Sequence, residues 1–200
     1  MTQRISLYAA HVDEWRTCTR CNLHKSRNKV CLARGSIPAD ILFVGEAPGE
    51  SENIIGRPFV GPAGQLLDHI IRHSVPSDLT YCITNLVGCI PYEDDSGKRG
   101  KAGQPSYESI EACAPRLQSF IEIVHPSLIV CVGSLARDHL DPKFQNFVKI
   151  PASIATVAIK HPAALLRINV VIRGLMIQTA IVTIQNAIEA VQDKAKEVQP

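Results

Sequence analysis

The sequence has no long hydrophobic run of the kind that spans a membrane. No stretch provides the roughly 20 apolar residues that a helix needs to cross a bilayer, and residues 1–18 lack the apolar core of a signal peptide. Internal repeats and low-complexity segments are also missing. We therefore expect a cytoplasmic protein that has no membrane partner.

A strong excess of one charge is missing as well. The 200 residues include 21 Lys and Arg against 19 Asp and Glu, a net charge of +2, which is too small to indicate a nucleic-acid partner. The basic residues cluster in two segments: Arg16, Arg20, Lys25, Arg27 and Lys29, and then Lys98, Arg99 and Lys101. Such clusters either follow a phosphate backbone or keep the surface soluble, and charge alone does not decide between the two.

What is present is the composition of one globular domain. Hydrophobic residues make up 46% and charged residues 20% of the chain, and a chain of this size buries roughly 70% of its unfolded surface. We therefore expect a single domain over residues 1–200. Seven cysteines are many for a reducing compartment, where disulfides are rare, so metal binding or burial must account for most of them.

Four apolar runs rich in β-branched residues predict strands, and helical patterns separate them. The strands are expected at residues 41–44, 81–84, 128–132 and 155–159, and the helices at residues 62–73, 105–124, 134–140 and 172–196. This alternation implies a parallel sheet with helices on both faces. The predicted fold class is α/β, a single-domain three-layer α/β/α sandwich around a central, mainly parallel four-stranded sheet. Residues 91–104 form the one obvious long loop, a predicted surface excursion.

Polar residues follow the predicted strands. Gly45 and Glu46 come after the first strand, Asn85 after the second, Gly133 after the third and His161 after the fourth. In open parallel sheets, ligands bind outside the carboxyl ends of the strands. An acid, an amide and an imidazole at this edge predict a polar pocket that reads a small molecule or a base.

The segment between the first strand and the first predicted helix is rich in glycine. Residues 44–68, VGEAPGESENIIGRPFVGPAGQLLD, contain five glycines and three prolines, which lets backbone N–H groups approach a ligand closely. Glu46 and Glu52 add two carboxylates, and no phosphate-binding pattern of the P-loop type is present. By itself the segment is either a tight structural loop or a ligand-binding one.

This loop resembles the first motif of the family-four uracil-DNA glycosylases, which carry a 4Fe-4S cluster. Four further segments match motifs of that family in order: Thr84-Asn85 leading into Cys89, residues 111–117 (EACAPRL), residues 132–134 (VGS), and residues 161–167 (HPAALLR), which are similar to an HPSxLLR motif. The resemblance implies a DNA glycosylase of base-excision repair. Such an enzyme flips uracil or a related base out of DNA and hydrolyses the N-glycosidic bond, leaving an abasic site. The resemblance also implies a monomer whose partner is DNA.

Cys18 and Cys21 form a CxxC pair, which alone is typical of zinc, iron-sulfur or redox sites. The resemblance makes Cys89 and Cys113 the other two ligands of a 4Fe-4S cluster, which takes four thiolates. The implied role of the cluster is structural: it pins the N-terminal arm, residues 1–35, and the long loop of residues 91–104, an insertion relative to the family, to the body. The remaining cysteines have no assigned function, with the first kept as an alternative ligand: Cys31, Cys82 and Cys131.

The resemblance also assigns roles in a base pocket, whose residues are Gly45, Glu46, Ala47, Phe59, Asn85 and His161. Phe59 stacks on the flipped base. The Asn85 amide donates to a pyrimidine carbonyl while it accepts from N3–H, a pattern that cytosine does not offer. His161 is expected to act in catalysis as a neutral imidazole that donates to the leaving base, and Glu46 to position or polarise the water. Glu52 is the alternative for this second task.

The segment after His161 and the inserted loop are expected to contact DNA. Leu165, Leu166 and Arg167 would form an apolar wedge with a phosphate anchor, and burial of both leucines in the core is the competing interpretation. Lys98 and Arg99 of the inserted loop are the further candidates for DNA contact.

The chain departs from its relatives at two positions. Ala163 replaces a serine of the HPSxLLR motif, which removes a hydroxyl suited to a phosphate contact. The inserted loop resembles that of X-type relatives, which trap the sugar covalently through a histidine, and Ala102 stands at that place, which excludes trapping of this kind. Two alternatives stay open: a glycosylase for a different modified base, in a viral or defence setting, and a relative that binds DNA lesions without turnover.

Overall fold

The computed structural model describes residues 2–92, 100–141, 143 and 147–197. The strands along these residues are β1 (Arg34–Gly35), β2 (Ile41–Gly45), β3 (Tyr81–Asn85), β4 (Leu128–Val132) and β5 (Ala155–Ile159). The helices are α1 (Thr2–Trp15), α2 (Glu50–Ile55), α3 (Pro62–Ser74), α4 (Tyr107–Val124), α5 (Ser134–Leu140), α6 (Pro162–Leu165) and α7 (Val170–Glu197), with a 3-10 turn at Asn22–Lys25.

The strands form one sheet in the order β1-β3-β2-β4-β5. Neighbours from β3 through β5 run parallel, whereas β1 pairs with β3 in the antiparallel direction. The predicted α/β class and the four predicted strands are confirmed. The sheet has five strands rather than four, because β1 contains only two residues and is too short to show an alternating pattern in the sequence.

Helices cover both faces of the sheet. Successive strand residues point to opposite faces, and each set packs into its own apolar cluster. On one side α4 and α5 pack on the sheet, as in the cluster that includes Leu42, Val44, Ile129, Leu117, Phe120 and Leu140. On the other side α3 and α7 do so, in the cluster that includes Ile41, Phe43, Val130, Leu67, Ile70, Ile184 and Ile188. The predicted three-layer arrangement is confirmed.

The N-terminal arm begins with α1, a helix that the sequence patterns did not predict. It lies against α4, where Arg4 donates to the carbonyl of Ile123 at 2.8 Å. Trp15 at its end is 2% exposed, and the guanidinium of Arg20 lies 4.5 Å from the centre of its ring. These contacts fix the start of the segment that carries Cys18 and Cys21.

The last helix, α7, has the length and composition of a membrane-spanning segment over Val170–Lys196, and it is the one helix of the described residues that does. The sequence predicts no such stretch. The second half of α7 packs on the sheet, whereas its first turns leave Val170, Val171 and Leu175 exposed. Core helices of soluble proteins can have the same composition, so the absence of a membrane partner stays a prediction.

Candidate active site and cysteine cavity

The carboxyl ends of β2 and β3 bring Gly45 and Asn85 side by side, because these two residues are paired in the sheet register. A Cβ atom on Gly45 would collide with Oδ1 of Asn85 and with the ring of Phe59. Only glycine therefore leaves room for the other two side chains at this place. Three residues of the predicted base pocket thus lie in direct contact.

The amide of Asn85 is buried and unpaired. The residue is 1% exposed, and neither Nδ2 nor Oδ1 has a hydrogen-bond partner within the described part of the chain. A buried polar atom without a partner costs about 1–3 kcal/mol, so these two atoms call for a ligand or an ordered water that satisfies them. The amide offers one donor and one acceptor to a ligand that enters beside it.

Phe59 lies next to this amide in a strained backbone conformation. Its φ of 54° belongs to the left-handed region, which non-glycine residues rarely adopt. Arg34 holds the loop in place: Nε donates to the carbonyl of Pro58 at 2.9 Å and Nη2 to that of Phe59 at 3.1 Å. Arg34 also pairs with Asp68 at 2.6 Å. Neither Arg34 nor Asp68 was among the predicted site residues.

Two further residues shape the same loop from inside. The carboxylate of Glu52 accepts three backbone N–H bonds, from Gly49 at 3.1 Å, Val60 at 2.7 Å and Gly61 at 2.8 Å. Gly64 passes so close to Phe59 that a Cβ atom there would collide with the Phe59 carbonyl. Because its oxygens are already engaged, Glu52 is an anchor of the loop and a poor alternative to Glu46 for positioning water.

Glu46 presents the opposite case. No hydrogen bond to a described residue reaches its carboxylate, although its backbone carbonyl accepts from Val87 at 3.2 Å. The side chain is partly buried, and burial raises the pKa of Glu46 above its ordinary value because the charged form loses solvation. The carboxylate of Glu46 is therefore available to a water or a ligand, as the acid of a base pocket must be.

His161 stands at the start of α6, where its side chain caps the helix. Its Nδ1 accepts the backbone N–H of Ala163 at 3.2 Å, and a backbone N–H can only donate. The proton of the neutral ring therefore resides on Nε2. Burial lowers the pKa of His161, so the ring stays neutral at pH 7 and offers Nε2–H as a donor.

The ring of His161 also belongs to the pocket. Its centroid lies 5.8 Å from that of Phe59, with 30° between the planes. The structure thus brings together Gly45, Phe59, Asn85 and His161, while Ala47 lies two residues beyond Gly45 in the same loop. The missing serine at position 163 is of little consequence for His161, because the contact to this histidine uses the backbone of Ala163.

The residues predicted to contact DNA separate into different environments. Leu165 is 1% exposed and Leu166 is 38% exposed. The expectation for Leu165 is therefore corrected: its side chain belongs to the core, because α6 turns it inward. Leu166 and Arg167 are exposed just beyond His161. Lys98 and Arg99 lie outside the described residues, and Ala102 pairs with Tyr92 across the base of the inserted loop.

A second candidate site lies beside the pocket. Cys18, Cys21, Cys89 and Cys113 all line one cavity. The first two follow α1, Cys89 follows β3, and Cys113 lies in α4. Within the described residues no three His, Cys, Asp or Glu side chains are placed to hold a single metal ion. A cluster does not need such a point, because its four irons each take one thiolate.

The surroundings of these thiols fit an anionic group. Arg116 donates from Nε to the sulfur of Cys113 at 3.2 Å, and Arg27 donates from Nη1 to that of Cys89 at 3.6 Å. A guanidinium group stabilises an anionic thiolate, whereas a neutral thiol does not need a cation beside it. The four predicted ligands and their two cations therefore fit the donor set of an iron-sulfur cluster.

The three other cysteines are different. Burial raises the pKa of Cys31, Cys82 and Cys131 to about 12, and that of Cys89 as well, so it is their position outside the cavity, and not their pKa, that distinguishes them. The thiol of Cys31 donates to the carbonyl of Glu52 at 3.1 Å, and Cys31 does not line the cavity of the other four. Its contact therefore favours support of the glycine-rich loop over the alternative role of a ligand.

The pocket and the cavity share a wall. Ala47 and Cys113 both pack against an apolar cluster of Leu23, Val87, Cys89 and Ile110. The backbone of the glycine-rich loop is tied to the same segment, because Leu86 donates to the carbonyl of Gly45 at 2.9 Å. The segment between Asn85 and Cys89 thus connects the two sites.

Comparison with known proteins agrees with this arrangement. Residues 32–181 match the model of the uracil DNA glycosylase superfamily. The type-4 uracil-DNA glycosylase of Saccharolobus solfataricus is 39% identical over 132 residues, 66% of this chain and 57% of that protein. This chain thus spans less than two thirds of that relative. The type-4 uracil-DNA glycosylase of Archaeoglobus fulgidus is 31% identical over 169 residues, 78% of this chain and 81% of that protein.

A solved structure supports the fold independently of sequence. The crystal structure of wild-type SMUG2 from Pedobacter heparinus has a TM-score of 0.52 to this chain at 14% identity, and the match covers 78% of this chain and 76% of the other. With three quarters of the chain matching one family model, the chain belongs to the uracil DNA glycosylase superfamily.

Proposed function

We propose that this chain is a uracil-DNA glycosylase, which flips uracil out of DNA, hydrolyses its N-glycosidic bond and leaves an abasic site in base-excision repair. The observation that supports this most is the Asn85 amide, buried beside Phe59 with both polar atoms unpaired among the described residues. The similarity to type-4 uracil-DNA glycosylases supports the same activity. We further propose that the chain acts as one domain and as a monomer in the cytoplasm.

Recognition begins with a base that has left the stack, which costs a few kcal/mol. Phe59 provides a flat apolar surface for its ring. Nδ2 of Asn85 donates to a carbonyl of uracil, and Oδ1 accepts from N3–H. Cytosine has an acceptor at N3 and a donor at its amino group, so it meets the same amide with the wrong polarity.

Cleavage moves the electron pair of the C1′–N1 bond onto the base. The negative charge spreads from N1 to the neighbouring carbonyl oxygen, where Nε2–H of His161 donates. A donor in place at a developing oxyanion lowers the barrier most when it is preorganised and shielded from water. The cap contact of Nδ1 with Ala163 supports such preorganisation, since it fixes both the tautomer and the ring.

The sugar gains positive character as the base departs, and a water molecule must add to C1′. We propose that Glu46 orients this water and accepts its proton, which completes the hydrolysis. The raised pKa of this carboxyl group suits a base that works near neutral pH. Glu52 takes no part in this step, because three N–H groups engage its carboxylate.

The cysteine cavity is proposed to hold a 4Fe-4S cluster through Cys18, Cys21, Cys89 and Cys113. When bound, the cluster supplies iron-sulfur bonds that join the N-terminal arm, the segment after β3 and α4. For DNA contact we propose Leu166 as the wedge and Arg167 as a phosphate anchor, since both are exposed beside His161. Lys98 and Arg99 remain candidates from the sequence alone.

The test is uracil release from labelled oligonucleotides. Single- and double-stranded substrates with one uracil are incubated with anaerobically purified protein, and abasic sites are cleaved with alkali. We expect uracil release by the wild type and a loss of about 10²–10³-fold in kcat for His161→Ala, the effect of removing one oxyanion donor. His73→Ala is the matched control, because His73 is an exposed histidine of α3.

The alternatives differ in their results. Release of another modified base, with uracil untouched, would replace the proposed substrate. Binding of DNA with no base released from a panel of modified substrates would indicate a lesion-binding relative. Equal activity of His161→Ala and the wild type would refute the role of His161.

A further inference from the structure

Arg116 is a buried cation that the sequence analysis left without a role. It lies in α4, three residues after Cys113, and is 1% exposed. No carboxylate of the described residues forms an ion pair with it. Charged side chains are almost never fully buried unless they are paired. Something else in its surroundings must therefore balance the charge.

Its contacts point in two directions. On one side Nε donates to the sulfur of Cys113 at 3.2 Å. On the other side the guanidinium grips the end of β3: Nη1 donates to Oγ1 of Thr84 at 3.3 Å, and Nη2 donates to the carbonyls of Asn85 and Leu86. One rigid planar group therefore links a predicted cluster ligand to the backbone of the residue that presents the pocket amide.

The charge of this link matches what the cavity is proposed to hold. A neutral thiol on Cys113 would leave the buried guanidinium without a counter-charge, whereas an iron-bound thiolate is anionic. The backbone carbonyl of Asn85 is held by Arg116, while its side-chain amide stays unpaired. The position of that amide thus depends on Arg116, and the counter-charge of Arg116 is the thiolate of the proposed cluster.

We propose that Arg116 is a positioning residue that couples the iron-sulfur cluster to base recognition, by bridging the Cys113 thiolate and the carbonyls of Asn85 and Leu86. This inference rests on the proposed function. The cluster supports the pocket electrostatically as well as by tethering the arm. Loss of the cluster leaves Arg116 uncompensated and releases the end of β3.

Arg27 supplies a matched control. It also donates to a predicted ligand, Cys89, at 3.6 Å, but it makes no hydrogen bond to β3 in the described structure. Arg116→Gln, Arg116→Lys, Arg27→Gln and Arg27→Lys are compared with the wild type. The readouts are the rate of iron loss to a chelator, the visible absorption and reduction potential of the cluster, kcat and KM for uracil, and the ratio of uracil to cytosine release.

We expect Arg116→Gln to lose iron about 10- to 100-fold faster and kcat for uracil to fall by a similar factor, the usual range for a partner of a metal ligand. The reduction potential falls, because the reduced cluster loses a cationic donor. Arg116→Lys keeps the charge but not the planar fork, so it retains iron better than Arg116→Gln and stays low in kcat. Arg27→Gln affects iron loss and leaves the uracil-to-cytosine ratio unchanged.

Two results would overturn the inference. One is that both Arg116 variants lose iron at the wild-type rate and have the wild-type reduction potential, whatever their activity. The other is a fall in the uracil-to-cytosine ratio that is equal for Arg27→Gln and Arg116→Gln. If Arg116→Gln does not fold, Arg116→Lys carries both comparisons. A wild type that releases no uracil would refute the proposed function, while iron loss and potential would still decide whether Arg116 serves the cluster.

Discussion

The base pocket and the cysteine cavity lie at opposite ends of one short segment. They differ in whether their polar groups have hydrogen-bond partners. At Asn85 both amide atoms are buried without a partner in the described structure. At Cys89, four residues later, the sulfur accepts from a guanidinium, and so does that of Cys113. An amide without a hydrogen-bond partner suits a neutral polar ligand that binds reversibly. Thiols that already face cations suit a permanently bound anionic group.

The two acids of the glycine-rich loop repeat this difference on a smaller scale. Glu52 is a structural anchor with three N–H donors on its carboxylate. Glu46 has a raised pKa because of burial, and its side chain has no hydrogen bond to the described residues. The loop thus fixes one carboxylate and leaves the other open to a water or a ligand.

The largest expected effect comes from changing the unpaired amide of Asn85 itself. Asn85→Asp keeps the shape but replaces the Nδ2 donor with a second acceptor. We expect kcat/KM for uracil to fall about 10²–10³-fold, comparable to the loss of an oxyanion-hole donor, in single-turnover assays. The iron content and visible spectrum should not change. A variant that still releases uracil at the wild-type rate would show that Asn85 does not read the base.

The two acids are expected to separate stability from activity. In Glu52→Gln an NH₂ group would face backbone N–H donors, so we expect the free energy of unfolding to fall by about 1–3 kcal/mol in denaturant titrations. Glu46→Gln should leave the free energy of unfolding near the wild-type value and slow uracil release. If Glu46→Gln is the less stable of the two variants, the assigned roles are reversed.

The smallest effect concerns pH. The pKa of His161 lies below its ordinary 6.5 because burial disfavours the charged ring, so the neutral Nε2–H donor persists as pH falls through 6.5. We expect kcat to hold its plateau from alkaline pH down to 6.5 and to decline in more acidic solution, where the ring gains a proton, the cap to Ala163 is lost and Glu46 is protonated as well. A kcat that rises as pH drops through 6.5 would indicate that imidazolium is the active form.

The sequence predicted the parts of this arrangement that depend on local pattern. Apolar runs located β2 to β5, and the rule for the carboxyl ends of parallel strands identified Gly45, Asn85 and His161 before their contacts were known. The resemblance identified the four cysteines that line one cavity as ligands of one cluster. The CxxC spacing alone did not distinguish between zinc, iron-sulfur and redox sites.

What the sequence did not reveal depends on contacts between distant residues. Arg34 reaches Asp68 across 34 positions, and Arg116 reaches Asn85 across 31. Neither contact leaves a periodic signal, and β1 is too short to produce one. The burial of Leu165 and the exposure of Leu166 follow from the direction of a four-residue helix, which composition does not indicate.

Whether the pocket reads the edge of uracil is decided by single-turnover release of uracil and of cytosine from otherwise identical oligonucleotides. The release is measured for the wild type and for Asn85→Asp. We expect rapid release of uracil and far slower release of cytosine by the wild type, with a smaller ratio of uracil to cytosine release in Asn85→Asp. Equal release of both bases by the wild type, or the same ratio in both proteins, would contradict it.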